Sequence, residues 1–125
     1  MQLVLAIAVG GALGAVSRHF VSGAISKLAG IGFPFGTFTV NIVGSLAMGI
    51  LVTLLAHKVN VSSELRAFLT VGFLGSFTTF STYSMETVLL FQRGDWTGAA
   101  FYSVGSLIIG ALALLLGLWL GRLLV

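Results

Sequence analysis

Four long stretches of this chain carry few charged side chains, and they constrain its fold more than any other feature. They cover residues 3–28, 37–57, 65–92 and 97–123. Because about 20 apolar residues in a helix cross the hydrocarbon core of a bilayer, each stretch predicts one membrane-spanning helix. Residues 1–125 are therefore expected to form a single all-α, four-helix transmembrane domain. Trp96 and Tyr102, near the start of the last stretch, are expected in an interfacial aromatic belt.

The shortage of charge decides the class of protein. Charged residues make up 7% of the 125 residues, whereas soluble domains carry roughly 25%. Six Lys/Arg and three Asp/Glu give a net charge of +3, which is too few cations for a nucleic-acid-binding face. The absence of cysteine excludes disulfides, thiolate nucleophiles and sulfur metal sites. The N-terminus has no Lys or Arg before Arg18, so it is expected to be a retained helix rather than a signal peptide.

One polar segment lies inside the third stretch. Residues 72–86, GFLGSFTTFSTYSME, contain seven hydroxyl side chains and two glycines between apolar flanks. Lipid offers no hydrogen-bond partners, so such a segment is expected only where protein or a water-filled path satisfies it. The stretch is also longer than one straight crossing needs. We therefore predict that the third helix is broken between about residues 75 and 79, with Gly75 as the break point because glycine adopts conformations closed to other residues.

A break of this kind creates two opposite binding chemistries. The carbonyls left unpaired at the end of a half-helix suit a small hard cation such as Na⁺. Phe80 and Tyr83 share a helix face at spacing i, i+3, and the positive edges of their rings could receive a small anion. Alternatively, the two rings are ordinary core aromatics and the hydroxyls bond back to their own helix. The combination with glycines, hydroxyls and a nearby carboxamide favours an ion site.

Two further polar residues lie among apolar neighbours. Asn41 is a carboxamide within the second stretch, and it is either a donor in a pore or a polar contact that joins two membrane helices. Arg18 interrupts the first stretch, where it either extends to the membrane surface or faces an aqueous vestibule and attracts anions. In the same helix, Gly10 and Gly14 form a small-xxx-small pair that predicts close approach of another helix.

The distribution of Lys and Arg gives almost no preferred orientation. With four spans, Lys58, Arg66 and Arg122 lie on one side, Lys27 and Arg93 on the other, and Arg18 is unassigned. Such a balance lacks a positive-inside bias, so the chain is expected to insert both ways and to pair antiparallel. An antiparallel pair has inverted-repeat symmetry, which places sites near the midplane.

Three segments, GGALGAVSRHF, GTFTVNIVGS and GFLGSFTTFSTYSMET, resemble the signature segments of the Fluc (CrcB) fluoride-channel family, in order and over nearly the whole chain. The resemblance implies a dual-topology antiparallel homodimer in a prokaryotic plasma or inner membrane. It also implies two fluoride pores and a central structural Na⁺, with the third helix broken at the midplane. The site residues it implies are Asn41, Phe80, Tyr83, Ser81 and Thr82 along the pores, Arg18 in the vestibule, Gly75 and Thr78 as carbonyl ligands of Na⁺, and Glu86 as the acid after the hydroxyl cluster.

The sequence departs from that family pattern at a few positions. Tyr83 stands where the family often has Phe, and Ser76 stands where a second Gly is frequent. In the fourth stretch, Ala111 and Leu115 fall near positions where hydroxyls are expected. Ser106 is the only hydroxyl deep in that helix, and we include it among the pore residues.

The function predicted from the sequence is passive, fluoride-selective export from the cytoplasm, with no enzymatic activity, since no phosphate loop or catalytic constellation is visible. The alternative is a small multidrug-type, proton-coupled four-helix transporter. Such a transporter needs a carboxylate within a helix, usually the first, and here Glu86 is the only acid within a span. A third possibility is a structural subunit of a larger membrane complex, which predicts no ion flux by the chain alone.

Overall fold

The computed structural model describes residues 1–58 and 60–125, and within these residues it is helical with no strand. In chain order the elements are α1 (Gln2–Ala29), α2 (Phe35–His57), α3 (Ser63–Ala67), a π-helical segment (Phe68–Leu74), α4 (Gly75–Phe77), α5 (Phe80–Gln92) and α6 (Trp96–Leu123). The prediction of an all-α chain is confirmed.

Three of these helices, in the described part of the chain, are each long and apolar enough to cross a membrane. They are α1, α2 and α6, with 28, 23 and 28 residues. Their bounds lie within a few residues of the stretches predicted from hydrophobicity alone, because length and apolar content determine them. The third predicted stretch is different, since it is divided among α3, the π-helical segment, α4 and α5.

The interruption in this third stretch falls on two threonines. Helical backbone ends at Phe77, and Thr78 (φ −91°, ψ 158°) and Thr79 (φ −149°, ψ 125°) are extended before α5 begins at Phe80. Gly75 is helical, with φ −61° and ψ −33°. The prediction that glycine forms the break point is therefore wrong. Threonine, being β-branched, readily takes the extended conformation that the interruption requires.

Close contact between α1 and the π-helical segment positions the interruption. A Cβ added to Gly10 would lie 2.5 Å from the Phe68 carbonyl oxygen, and one added to Gly14 would overlap the Phe73 carbonyl. On the other side of the contact, a Cβ on Gly72 would lie 2.8 Å from the Ile7 carbonyl. The small-residue pair predicted in α1 is thus confirmed as a site of backbone-to-backbone packing.

We expect Gly14→Ala to lower the stability of the protein by about 1–3 kcal/mol, because the added methyl group must push apart two packed backbones. Gly23→Ala in the same helix is the matched control, since nothing lies within 4 Å of a Cβ there. Thermal unfolding in detergent would measure both variants. A melting temperature in Gly14→Ala equal to that of Gly23→Ala would contradict this packing.

The helices α2 and α6 pack equally closely through small residues. A Cβ on Gly117 would lie 3.0 Å from the Cα of Gly49, so the two glycines face each other directly. Beside them, the Thr53 hydroxyl donates to the Gly49 carbonyl at 3.0 Å and lies 3.4 Å from the Leu118 carbonyl. This contact fixes α6 against the helix that carries Asn41.

Candidate functional site

The carboxamide of Asn41 holds the interrupted segment. Its Oδ1 accepts the Thr79 N–H at 2.8 Å, and its Nδ2 donates to the Thr79 carbonyl at 3.1 Å. Because one amide meets both backbone groups of one residue, the assignment of its oxygen and nitrogen follows from the partners. Gly44, one turn after Asn41, allows α2 to approach this closely, since a Cβ there would overlap the Thr78 side chain.

The hydroxyls that follow the interruption cap the next helix. The Thr79 hydroxyl oxygen accepts the Thr82 N–H at 3.3 Å, as an N-cap residue does. The same hydroxyl donates to the Thr82 hydroxyl at 3.2 Å and lies 3.5 Å from that of Ser81. Part of the hydroxyl cluster seen in the sequence therefore serves the start of α5.

Two backbone carbonyls lose their usual donors at this point. In a continuous α-helix, the Thr79 N–H would reach the Gly75 carbonyl and the Thr82 N–H would reach the Thr78 carbonyl. Here these two N–H groups donate to Asn41 and to the Thr79 hydroxyl instead. Gly75 is exposed on the surface of the chain. Neither carbonyl therefore receives the N–H that a continuous helix would direct to it.

A cavity of about 290 Å³ lies beside the interruption. Its walls are formed by Asn41, Gly44, Ser45, Met48, Thr78, Thr79, Phe80, Tyr83, Ser106, Leu107 and Leu114. Four residues predicted for the anion path, Asn41, Phe80, Tyr83 and Ser106, therefore meet in one space. The rings of Phe80 and Tyr83 lie 5.6 Å apart at 41°.

The Ser106 hydroxyl is the unsatisfied polar group of this cavity. Its oxygen is buried and has no hydrogen-bond partner among the described residues. By contrast, the Ser45 hydroxyl, which also lines this cavity, donates to the backbone carbonyl of Asn41 at 2.7 Å. A buried hydroxyl without a partner carries a desolvation cost, which a bound hydrogen-bond acceptor or water would remove.

Other predicted site residues lie elsewhere. A second cavity, of about 350 Å³, is lined by Ala15, Arg18, His19, Ser22, Gly23, Thr37, Thr79 and Thr82. Arg18 and Thr82 thus share a space on the α1 side of the interruption, separate from Asn41 and Phe80. Thr79 lines both cavities. Ser81 is exposed and lines neither of these two spaces.

The hydrogen-bond partners of Glu86 were not predicted from the sequence. Thr37 donates to its Oε1 and Tyr102 donates to its Oε2, each at 2.8 Å. Tyr102 is fully buried, so the expectation that it joins an interfacial belt is wrong; Trp96 is 66% exposed. One sequence signal could have indicated these partners. Glu86 is the only acid within a span, and a carboxylate at that depth needs hydrogen-bond donors from neighbouring helices.

The additional hydroxyl of Tyr83 points away from the cavity. It donates to the Ser103 carbonyl of α6 at 2.8 Å. The ring is thereby fixed between Phe80 and Tyr102, whose ring centre lies 5.4 Å away. The departure from Phe at this position therefore adds a link between α5 and α6 without adding a hydroxyl group to the cavity.

A family model and individual relatives of this chain indicate the same family. A family model described as "CrcB-like protein, Camphor Resistance (CrcB)" matches residues 5–118. The chain is 49% identical over 116 residues to the fluoride-specific ion channel FluC of Agrobacterium fabrum, which covers 93% of each chain. It is 46% identical over 123 residues to that of Caulobacter vibrioides, covering 98% of this chain and 97% of the relative. It is also 44% identical over 122 residues to that of a Chelativorans species, covering 98% of each.

Proposed function

This chain belongs to the CrcB-like family, and from that premise we propose that it is a fluoride channel through which fluoride leaves the cytoplasm passively. It is a multi-pass protein of the cell membrane and not an enzyme. The observation that carries the proposal is the 290 Å³ cavity, in which the Asn41 amide, the unpartnered Ser106 hydroxyl and the Phe80 ring meet.

The donors of this cavity are neutral, and that favours fluoride over larger anions. A dehydrated anion here would receive an amide N–H, a hydroxyl and positive ring edges, but no full positive charge. Such weak donors replace lost hydration only for an anion that is small and accepts hydrogen bonds strongly. Arg18, in the second cavity, would raise the local anion concentration without binding the ion permanently.

We further propose that two copies pair antiparallel and form two pores. The support is the exposed surface around the interruption, where Gly75, Ser81 and Phe80 lie, Phe80 being 75% exposed. Lipid does not satisfy freed backbone carbonyls, whereas protein or a water-filled path does, and a second protein surface would supply the first of these. The balanced Lys and Arg residues allow that surface to be an inverted second copy. Labelling of a C-terminal tag in intact cells should detect both orientations; one orientation with full activity would contradict it.

The freed carbonyls of Gly75 and Thr78 fit a structural Na⁺, and we propose that both subunits supply them at the midplane. Hard cations take oxygen ligands, and carbonyls at a helix interruption provide them without any carboxylate. A bound Na⁺ would supply a fixed positive charge at the centre of the dimer. The role of this chain is to keep the two carbonyls free of helical donors, as the hydrogen bonds of Thr79 and Thr82 do.

Glu86→Gln is expected to leave the Na⁺ dependence of the protein unchanged. Both carboxylate oxygens of Glu86 already accept hydrogen bonds from hydroxyl groups, so neither is expected to bind the cation. The variant should lower stability by about 1–3 kcal/mol, since both hydroxyls lose a charged acceptor and one of them then faces an amide NH₂ group, which cannot accept. Melting temperatures with and without Na⁺ would measure both effects. Loss of the Na⁺ response would assign the cation to Glu86.

Tyr83→Phe is expected to conduct fluoride at close to the wild-type rate, since the ring edge remains and the lost hydroxyl faces Ser103. The variant should be less stable by about 0.5–1.5 kcal/mol, the usual contribution of one hydrogen bond. Fluoride efflux from liposomes and thermal unfolding would test the two statements separately. A Tyr83→Phe protein that folds but does not conduct would give the hydroxyl a direct role.

The decisive experiment for the proposed function is anion flux from liposomes that contain the purified protein. Fluoride should leave rapidly under a potassium gradient with valinomycin, as read by a fluoride electrode, and chloride should not. Uptake of organic cations driven by a pH gradient, and abolished in Glu86→Gln, would instead support the proton-coupled transporter. Absence of any flux from folded protein would support a structural subunit.

A further inference from the structure

We propose that Asn41 is a positioning residue for the cation site, because its carboxamide keeps the Thr79 N–H away from the Gly75 carbonyl. The inference rests on the Na⁺ site of the proposed function and goes one step beyond it. A single side chain on α2 would thus determine whether the Gly75 carbonyl is free to bind the cation. The resemblance to the channel family gave Asn41 a role in the anion path alone.

The Gly75 carbonyl and the Asn41 side chain compete for one backbone donor, the Thr79 N–H. Two acceptors are possible for the Thr79 N–H. One is the Gly75 carbonyl, if the helix continued, and the other is the Asn41 Oδ1. The N–H donates to Oδ1 at 2.8 Å, and the Thr79 carbonyl accepts from Nδ2 at 3.1 Å. The side chain thus offers both groups of Thr79 the pairing that a neighbouring strand would offer. These two hydrogen bonds replace the helical hydrogen bonds that Thr79 gives up in the extended conformation.

Removal of the carboxamide would reverse this balance. A buried N–H without an acceptor costs about 1–3 kcal/mol, so Thr79 would recover the helical bond to Gly75. Gly75 would then have its carbonyl occupied by a donor, and the extended backbone at Thr78 and Thr79 would be lost. In the continued helix the Gly75 and Thr78 carbonyls would both receive N–H donors, so the cation would lose oxygen ligands from each subunit although no residue that supplies a ligand had been replaced.

The same amide also faces the anion path. Its two N–H bonds are not both used, since one donates to the Thr79 carbonyl and the second has no partner among the described residues. The amide lines the 290 Å³ cavity together with Ser106. One carboxamide therefore serves the cation with its oxygen and the anion with its remaining N–H.

This division of labour predicts that two substitutions separate the functions. Asn41→Asp loses the donation to the Thr79 carbonyl but keeps an oxygen that accepts the Thr79 N–H, and its charge strengthens that hydrogen bond, so the Na⁺ response should persist although the anion path is blocked. Asn41→Ala has no acceptor, so the Na⁺ response should weaken. If Asn41→Ala does not fold, Asn41→Ser keeps a polar atom but is too short to reach both groups of Thr79. Ser45→Ala is the control, because that hydroxyl touches Asn41 and not Thr79.

The measurement is the melting temperature of each purified dimer in detergent as NaCl replaces N-methyl-D-glucamine chloride at constant ionic strength. We expect the Na⁺ concentration for half-maximal stabilisation to rise at least about tenfold in Asn41→Ala or Asn41→Ser. It should stay near the wild-type value in Asn41→Asp and Ser45→Ala. No flux measurement enters this comparison.

The outcomes distinguish the inference from the function on which it rests. A wild-type protein that shows no Na⁺-dependent stabilisation would remove the cation from the proposed function, and the inference with it. A wild-type response that is unchanged in Asn41→Ala or Asn41→Ser would overturn the inference alone. Loss of the response in Asn41→Asp would overturn it as well, because that variant retains the acceptor for Thr79.

Discussion

Asn41→Asp should abolish fluoride flux and leave a folded dimer. The carboxylate still accepts the Thr79 N–H, but it cannot donate to an anion when ionised, and its charge repels one. Two unit charges about 4 Å apart interact by about 4 kcal/mol at an effective dielectric constant of 20, so the flux should fall by about a thousandfold. This is the largest effect that we expect from a single substitution in the cavity.

Fluoride efflux from liposomes measures this effect, and size-exclusion elution with the Na⁺-dependent melting temperature reports folding. Ser45→Asn provides a second comparison, because it adds a neutral amide to the same wall of the cavity and brings no charge. It should conduct better than Asn41→Asp. Wild-type flux in a folded Asn41→Asp dimer would show that the anion does not pass this carboxamide.

The helical spans were predictable from the sequence, and the position of the interruption was only partly so. Apolar length alone predicts α1, α2 and α6, because each is long and apolar enough to cross a bilayer. Clustered hydroxyls in residues 72–86 pointed to an interruption near its observed place. The sequence suggested Gly75 as its centre, yet Gly75 is helical, because glycine permits unusual conformations but does not impose them.

A contact between residues distant in sequence decides where the helix stops. Asn41 and Thr79 are 38 positions apart, and their pairing depends on the register between α2 and the third stretch. Hydrophobic periodicity does not determine such a register. The sequence identified Asn41 and the hydroxyl cluster as unusual, but it gave no reason to pair Asn41 with Thr79 in particular.

The sequence predicted which residues belong to the candidate site, but it did not predict which of them line the same cavity. Asn41, Phe80, Tyr83 and Ser106 line one cavity, whereas Arg18 and Thr82 line another. Which cavity a residue lines depends on the rotation of each helix about its axis, and a nearly uniformly apolar helix such as α6 carries little information about that rotation. The pairing of Glu86 with Thr37 and Tyr102 escaped prediction for the same reason.

Phe80→Ile should lower fluoride flux, because isoleucine keeps an apolar side chain in the cavity but has no positive ring edge. Phe80 contributes an aromatic ring that is 75% exposed on the single chain, so its removal should cost little stability in the protomer. An edge interaction of about 1–1.5 kcal/mol corresponds to a loss of flux of about five- to tenfold.

Phe91→Ile is the matched control for this prediction. Phe91 lies on the same helix, α5, and its ring stacks on Trp96 at 5.5 Å, outside the cavity that Phe80 lines. It should conduct fluoride like the wild type when measured in the same liposome assay. If Phe80→Ile conducts as well as Phe91→Ile does, the Phe80 ring serves packing between subunits. Wild-type flux in Asn41→Asp as well would mean that the 290 Å³ cavity is not the path of the ion.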